Sequence, residues 1–327
     1  MAQVNTLKGA VDTASLGVTL MHEHIFIVTP DLRQNYPDYP AHWDEEAREA
    51  DAVERLRDLA SLGIRTIVDP TVVGLGRYIP RVLRVVEQVD LNVVVATGLY
   101  TYNDIPPGFH YVGPGTMFGG EDPMVDLFVK DITEGIAGTG VKAAFLKCAI
   151  DEPGLTPGVE RVLRAVARAH RLTGAPITVH TYVGNESGLI AQRVLREEGV
   201  DLSRVVIGHS GDSTDLAYLR ALADTGSYLG MDRFGIDVLL PMEPRVETVA
   251  RLCEEGYADR MVLSHDASCY NDWFDPDMVK AAAPNWHYGY ISADVLPALR
   301  ERGVKEEHIT AMLEDNPRRY FENVSAY

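Results

Sequence analysis

His22-Glu23-His24 places two imidazoles one residue apart, between Val18-Thr19-Leu20 and Ile25-Phe26-Ile27. Residues two apart project to the same side of a strand but diverge by roughly 200° on a helix. The apolar and β-branched neighbours favour a strand, so both rings are expected to reach one metal ion. The spacing differs from the helical HExxH metalloprotease pattern, whose histidines are four apart.

Further ligand-type residues close other apolar runs. Lys147 follows Ala143-Ala144-Phe145-Leu146, His180 follows Ile177-Thr178-Val179, His209 follows Val205-Val206-Ile207-Gly208, and Asp266 follows Met261-Val262-Leu263-Ser264-His265. Imidazoles and carboxylates are ordinary ligands for zinc and related divalent ions. An ammonium has donors only and is costly to bury, so Lys147 must be paired, neutralised or modified. Each residue alone has a structural alternative, as a hydrogen-bonded histidine or an ion-paired lysine. Four histidines, a lysine and an aspartate at corresponding ends of five strands favour a metal site over coincidence. By the same alternation His265 points away from the side of Asp266 and reads as structural. His42, His110, His170, His287 and His308 fall in helices or loops and receive no metal role. Asp69 precedes Pro70, which suggests a turn at least as strongly as a ligand.

The elements that must position these residues repeat in one rhythm. Strands are predicted at 18–27, 64–70, 91–100, 142–149, 175–181, 204–210, 227–232 and 261–266. Each is near-continuously apolar, as strands buried on both faces are. Helices are predicted at 45–62, 79–88, 124–137, 158–172, 188–198, 215–223 and 246–255. Within 158–172, Val159, Val162, Leu163 and Val166 recur at helical spacing and form one buried stripe. Eight strands alternating with helices imply an α/β fold, a TIM-type (β/α)8 barrel, whose active sites form at the carboxyl ends of the strands. An open doubly wound sheet competes, but no GxGxxG follows the first strand.

With 327 residues, 46% of them hydrophobic, a single domain over 1–327 can bury the core of such a barrel. Lysine and arginine number 30 against 48 acidic residues, and the net charge of −18 argues against nucleic-acid or anionic-membrane partners. No run reaches the ~18 apolar residues of a spanning helix, and the first residues carry no signal-peptide pattern, so a soluble cytoplasmic protein is expected. Cys148, Cys253 and Cys269 have no paired spacing and are read as reduced thiols.

The chain resembles the phosphotriesterase family of the amidohydrolase superfamily, and most closely its phosphotriesterase-like lactonases. The motifs that carry the resemblance are MHEH at 21–24, FLKCA at 145–149, VHT at 179–181, GHSGDSTD at 208–215, GMDRFG at 230–235 and LSHD at 263–266. It implies two divalent transition-metal ions, zinc first, with iron, cobalt and manganese as alternatives. His22, His24 and Asp266 would hold one ion and His180 and His209 the other, with Lys147 bridging both as an N-carboxylated carbamate. It also implies a short hairpin at about residues 2–16 and a homodimer. Tyr182 stands where lactonase relatives often carry a second histidine.

The expected reaction is hydrolysis of N-acyl homoserine lactones and related γ- and δ-lactones by a metal-bridging hydroxide. Asp266 would accept its proton, Tyr100 would orient the substrate and Arg233 would contact the lactone ring. The loop 234–242 and residues Tyr270, Trp273 and Phe274 are expected to line an acyl channel. Two other readings stand beside it: a phosphotriesterase as the main activity, with lactones secondary, and a non-catalytic barrel whose metals are structural.

Overall fold

The computed structural model describes residues 2–36, 38, 43–322 and 325–327; His42 lies outside them. Two short strands, β1 (Gln3–Thr6) and β2 (Gly9–Asp12), pair antiparallel with Gln3 opposite Asp12, which is the expected hairpin. After them come β3 (Thr19–Leu20), β4 (His24–Ile27), β5 (Thr66–Asp69), β6 (Asn92–Gly98), β7 (Phe145–Ile150), β8 (Ile177–Thr181), β9 (Val205–Gly208), β10 (Tyr228–Met231), β11 (Met261–Leu263) and β12 (Ser268–Asn271). Eight of these form one parallel sheet in the order β11-β10-β9-β8-β7-β6-β5-β3. Met21 N donates to Leu263 O at 3.3 Å, bringing the first strand against the last and closing a TIM (β/α)8 barrel.

Segment 18–27 is not the single strand expected from its apolar pattern. The chain leaves regular sheet geometry at Met21-His22-Glu23 and re-enters as β4, which pairs in parallel with β12 rather than with the main sheet. Glu23 supplies the reason: its carboxylate turns inward and accepts from Ser264 Oγ at 2.7 Å, His265 N at 2.9 Å and Ala267 N at 3.0 Å. Those bonds pin the break to residues 264–267, while its backbone stays bonded across the barrel, Glu23 N to Val68 O at 3.0 Å and His24 N to Ala267 O at 2.8 Å.

Strand alternation divides the apolar residues into two cores. Val68, Val94, Ala96, Phe145, Val206 and Val262 point into the barrel, where Tyr320 and Phe321 close its floor. The intervening Ile67, Val93, Val95, Leu146, Val205, Ile207 and Leu263 face the helices. Those helices are α1 (Pro30–Asn35), α2 (Glu45–Ser61), α3 (Ile79–Val86), α4 (Pro123–Thr133), α5 (Pro157–Thr173), α6 (Ser187–Glu197), α7 (Leu216–Ala223) and α8 (Met242–Glu254). In α5 the Thr156 hydroxyl caps Val159 N, and Val159, Val162, Leu163 and Val166 are buried as their spacing predicts. Four more helices, α9 (Pro276–Ala282), α10 (Leu296–Glu301), α11 (Glu306–Thr310) and α12 (Asn316–Glu322), lie beyond the last predicted one. α9 has only seven residues, whereas α10 continues a π-helical turn at Ile291–Val295, and α11 and α12 are joined through another at Ala311–Asp315, so 306–322 is one helix that the sequence pattern did not reveal. Among the described residues no helix is long and apolar enough to cross a membrane.

The floor of the barrel gives a stability test. Phe145 is fully buried and meets the Phe321 ring edge-to-face, with centroids 6.2 Å apart. Phe145→Ala should cost about 3–5 kcal/mol in denaturant unfolding, the range for a buried aromatic truncated to alanine. A cost below about 1 kcal/mol would mean that the inner core is not close-packed.

Candidate metal centre

Lys147 is the third residue of β7 rather than its end, and alternation carries its side chain inward above Phe145. It is almost wholly buried, and its Nζ has no hydrogen-bond partner among the described residues. Burial pushes its amine down to about 8, against the pull of Asp266 and Asp232. His180 reaches the same space from β8, above the inward Thr178.

His209 and Asp266 lie beyond their strands, which end at Gly208 and Leu263. Both adopt left-handed backbone conformations, with φ of 63° and 54°. For residues with a Cβ this conformation is strained, and here it swings two ligand-type side chains over the mouth. Beneath them the fully buried Asp232 needs room: a Cβ at Gly230 would lie 2.4 Å from its Oδ2, and one at Gly208 would lie 2.8 Å from Val179 O.

Asp232 takes the Nδ1 protons of two histidines. Its Oδ1 accepts from His209 Nδ1 at 2.9 Å and from His209 N at 2.8 Å, and its Oδ2 accepts from His22 Nδ1 at 3.1 Å. Thr71 donates its hydroxyl to Asp69 Oδ1 at 2.5 Å, so the 2.7 Å contact with His24 Nδ1 makes that nitrogen the donor. Asp69 therefore serves both its turn, by accepting from Thr71 N, and the orientation of His24. Asp151 Oδ2 lies 2.8 Å from His180 Nε2 and takes the proton of the fourth ring. The network thus assigns one tautomer to each imidazole and leaves the other nitrogen as a bare acceptor.

Those free nitrogens converge. His22 Nε2 and His24 Nε2 lie 3.4 Å and 3.2 Å from Asp266 Oδ1, and His209 Nε2 faces His180 Nδ1 at 2.9 Å. A proton shared by the last pair does not explain the approach, because burial pushes His180 down to about 4 and His209 well below its ordinary value. Two facing lone pairs repel, and a cation relieves them. With the unpartnered Lys147 Nζ, this donor set fits divalent metal. His22, His24 and Asp266 offer three ligand atoms within 4.8 Å of one another. His22, His209 and Asp232 satisfy the same distance test, but N–H···O bonds already join them, so they are read as support for the site.

Arg233 and Tyr100 border this centre. Arg233 is mostly buried, donating from Nε to Asp266 Oδ2 and from Nη1 to Asp212 Oδ2, each at 3.0 Å. Arg245 holds the other side of Asp212 at 2.7 Å. Burial pushes the Asp266 carboxyl up, but the groups around it, the Arg233 cation among them, hold it well below the usual range. Tyr100 donates to Asp151 Oδ2 at 3.1 Å and sets its ring edge-on to His180, 5.3 Å between centroids. Above these groups opens a cavity of about 570 Å³ with Ile236, Val238, Leu239, Trp273, Phe274 and Met278 in its wall. Phe234 and Tyr270, expected in that wall, are buried outside it; Tyr270 packs against Trp43 with centroids 5.0 Å apart.

His265 is structural, as its alternation implies. Its Nε2 accepts from Ile291 N at 2.9 Å, so its Nδ1 donates to Glu23 Oε1 at 2.6 Å. His110, His170 and His287 bond elsewhere, to Asp104, Ala175 and Gly289. The three cysteines are free and buried. Sequence reasoning assigned no role to Asp151, Asp232 or Thr71. The alternation that singled out Lys147 continues to residue 151, and Asp232 closes a predicted strand as the other ligand-type residues do, so a signal was present for both.

Fold and centre together define a (β/α)8-barrel hydrolase with histidines and a carboxylate prepared for metal. A model of the phosphotriesterase family matches residues 2–321, and the chain belongs to that family. It is 61% identical over 327 residues to a phosphotriesterase homology protein of Mycobacterium tuberculosis, covering 100% of both chains. An aryldialkylphosphatase of Saccharolobus solfataricus is 41% identical over 316 residues, which are 96% of this chain and 98% of that one. A solved structure described as the phosphotriesterase from Mycobacterium tuberculosis superposes with a TM-score of 0.97 at 61% identity, over 99% of this chain and 100% of that one.

Glu23 locks the break between β3 and β4 to the loop that carries Asp266, and both Glu23 and His265 are fully buried. Glu23→Ala should lower the unfolding free energy by about 3–5 kcal/mol, because it strands a buried partner. Glu306→Ala, which removes the exposed Arg300 pair, should change it by less than about 1 kcal/mol. Equal effects from the two substitutions in chemical denaturation would show that Glu23 has no special structural weight.

Proposed function

We propose that this chain is a metal-dependent lactonase acting on N-acyl homoserine lactones and related γ- and δ-lactones, with slow phosphotriester hydrolysis. The observation that carries the reading is the cavity of about 570 Å³: a polar floor of Tyr100, Arg233 and Asp266 beneath an apolar wall. That shape suits a flat polar ring with a long acyl tail. A triester needs room for three substituents around phosphorus.

In this reading His22, His24 and Asp266 would hold one divalent ion and His180 and His209 the other. Lys147 would serve as their shared ligand once carbamylated, its neutral amine bonding to carbon dioxide and releasing one proton. The orphaned Nζ and an amine pushed down to about 8 by burial support that chemistry, which needs the unprotonated form. Bound there, divalent metal supplies Lewis acidity, lowering the pKa of water from 15.7 towards ~7 and polarising the scissile oxygen.

The chain's own groups supply the rest. Asp266 is ionised and takes the proton of the attacking water at its carboxylate, then returns it to the leaving alkoxide. Arg233, fixed between Asp266 and Asp212, presents a permanent cation beside the ring oxygen. Tyr100 orients the substrate from the same floor, and Trp273 and Phe274 shield the acyl chain from water.

A phosphotriesterase as the main activity is the second reading, favoured by the aryldialkylphosphatase relative at 41% identity. Steady-state kinetics on a panel of acyl homoserine lactones against an aryl dialkyl phosphate separates the two. The lactone kcat/KM should exceed the triester value by at least ~10-fold, or about 1.4 kcal/mol. Arg233→Ala should weaken lactone turnover more than triester turnover. If the triester is preferred at every acyl length, the lactone assignment is wrong.

A further inference from the structure

Asp151 follows β7 on the side of Lys147, at the polar floor of the cavity. Its backbone is anchored: its carbonyl accepts from Gly154 N at 2.8 Å, and Asn185 Nδ2 donates to the neighbouring Glu152 O at 3.1 Å. Its carboxylate has three partners among the described residues. Oδ1 accepts from Glu152 N at 2.7 Å, and Oδ2 accepts from both Tyr100 Oη at 3.1 Å and His180 Nε2 at 2.8 Å.

Oδ1 faces a backbone N–H and Oδ2 faces a phenol and an imidazole, so the carboxylate serves as the acceptor for all three. A single oxygen of Asp151 therefore fixes two donors with different duties, a phenol over the substrate space and an imidazole whose other nitrogen faces His209. In a neutral ring the two nitrogens are linked: a proton held on Nε2 leaves Nδ1 as the acceptor. Were that proton on Nδ1, His180 would turn an N–H towards His209 Nε2 and leave Asp151 with no donor from the ring.

We infer that Asp151 is a positioning residue that couples metal retention to substrate orientation. It holds His180 as the Nε2–H tautomer, which reserves Nδ1 for metal, and it holds the Tyr100 ring over the same centre. This rests on the reading of His180 as a metal ligand, and it is independent of which ester the enzyme prefers. The Asp151 bonds also account for the edge-on contact between Tyr100 and His180, since both groups hang from one oxygen.

Zn²⁺ affinity, measured by competition with a chromogenic chelator, tests the first half. Asp151→Ala should weaken one of the bound equivalents by about 10–100-fold, the usual effect of removing a carboxylate behind a ligating histidine. Asp151→Asn, whose amide oxygen still accepts from Nε2, should fall between that variant and the parent. Tyr100→Phe should leave Zn²⁺ affinity within about 3-fold of the parent. The coupling is read from KM for one ester that the parent turns over. Asp151→Ala and Tyr100→Phe should each raise it, and the double variant should raise it no further than the larger single effect. A folded Asp151→Ala with Zn²⁺ affinity within about 3-fold of the parent overturns the inference. If Asp151→Ala does not fold, ¹⁵N spectra of histidine-labelled metal-free parent decide: His180 protonated on Nε2 supports it, and on Nδ1 overturns it. Failure of the lactone reading would appear in the substrate panel and leave these outcomes unchanged.

Discussion

The mouth of this barrel depends on oxygen acceptors placed behind the histidines. Asp232 takes two ring protons, and Asp151 and the Thr71–Asp69 pair take one each, so the remaining nitrogen of each of the four imidazoles has only a lone pair to offer. Two of these nitrogens approach to 2.9 Å, and burial keeps a proton from settling between them by pushing His180 down to about 4. Such an arrangement is repulsive until a cation enters it. Local features that would otherwise be unexplained serve this condition: the left-handed backbone at His209 and Asp266, glycines beside Asp232, and the break in the first barrel strand around Glu23.

Much of this was legible in the sequence because a parallel barrel has a strict two-residue period. Lys147 and His180 were found by their place in apolar runs, and the structure turns both inward as that period requires. What the period cannot see is where a strand stops. His209 and Asp266 reach the centre by leaving the strand in a conformation that no propensity predicts, and the His22–His24 segment is interrupted by bonds to residues some 240 positions away. Asp151 and Asp232 were passed over because their work is visible only in the rings they touch. Loop residues were harder still, since an apolar side chain after a strand can be wall or core. Ile236, Trp273 and Phe274 are wall, whereas Phe234 and Tyr270 are core.

Membership of the phosphotriesterase family fixes the chemistry only at the level of hydrolysis. Specificity sits in the groups around the metal-ready nitrogens, and here the cavity floor carries both a cation and a phenol. Arg233 is tied to Asp266 and Asp212, while Tyr100 is tied through Asp151 to His180. The two orienting groups are thus bonded to the residues proposed to bind metal. Substitutions at the floor should rarely alter substrate orientation without also disturbing the centre, whereas the apolar wall is free to vary with acyl length.

The central claim is that the converging lone pairs and the orphaned lysine form one binuclear site. A crystal structure of metal-replete protein, with anomalous scattering to count and place the ions, tests it most directly. The account predicts two ions per chain, one against His22, His24 and Asp266 and the other against His180 and His209, with carboxylated Lys147 between them. A single ion in fully metallated crystals, or a free amino group on Lys147, would contradict it.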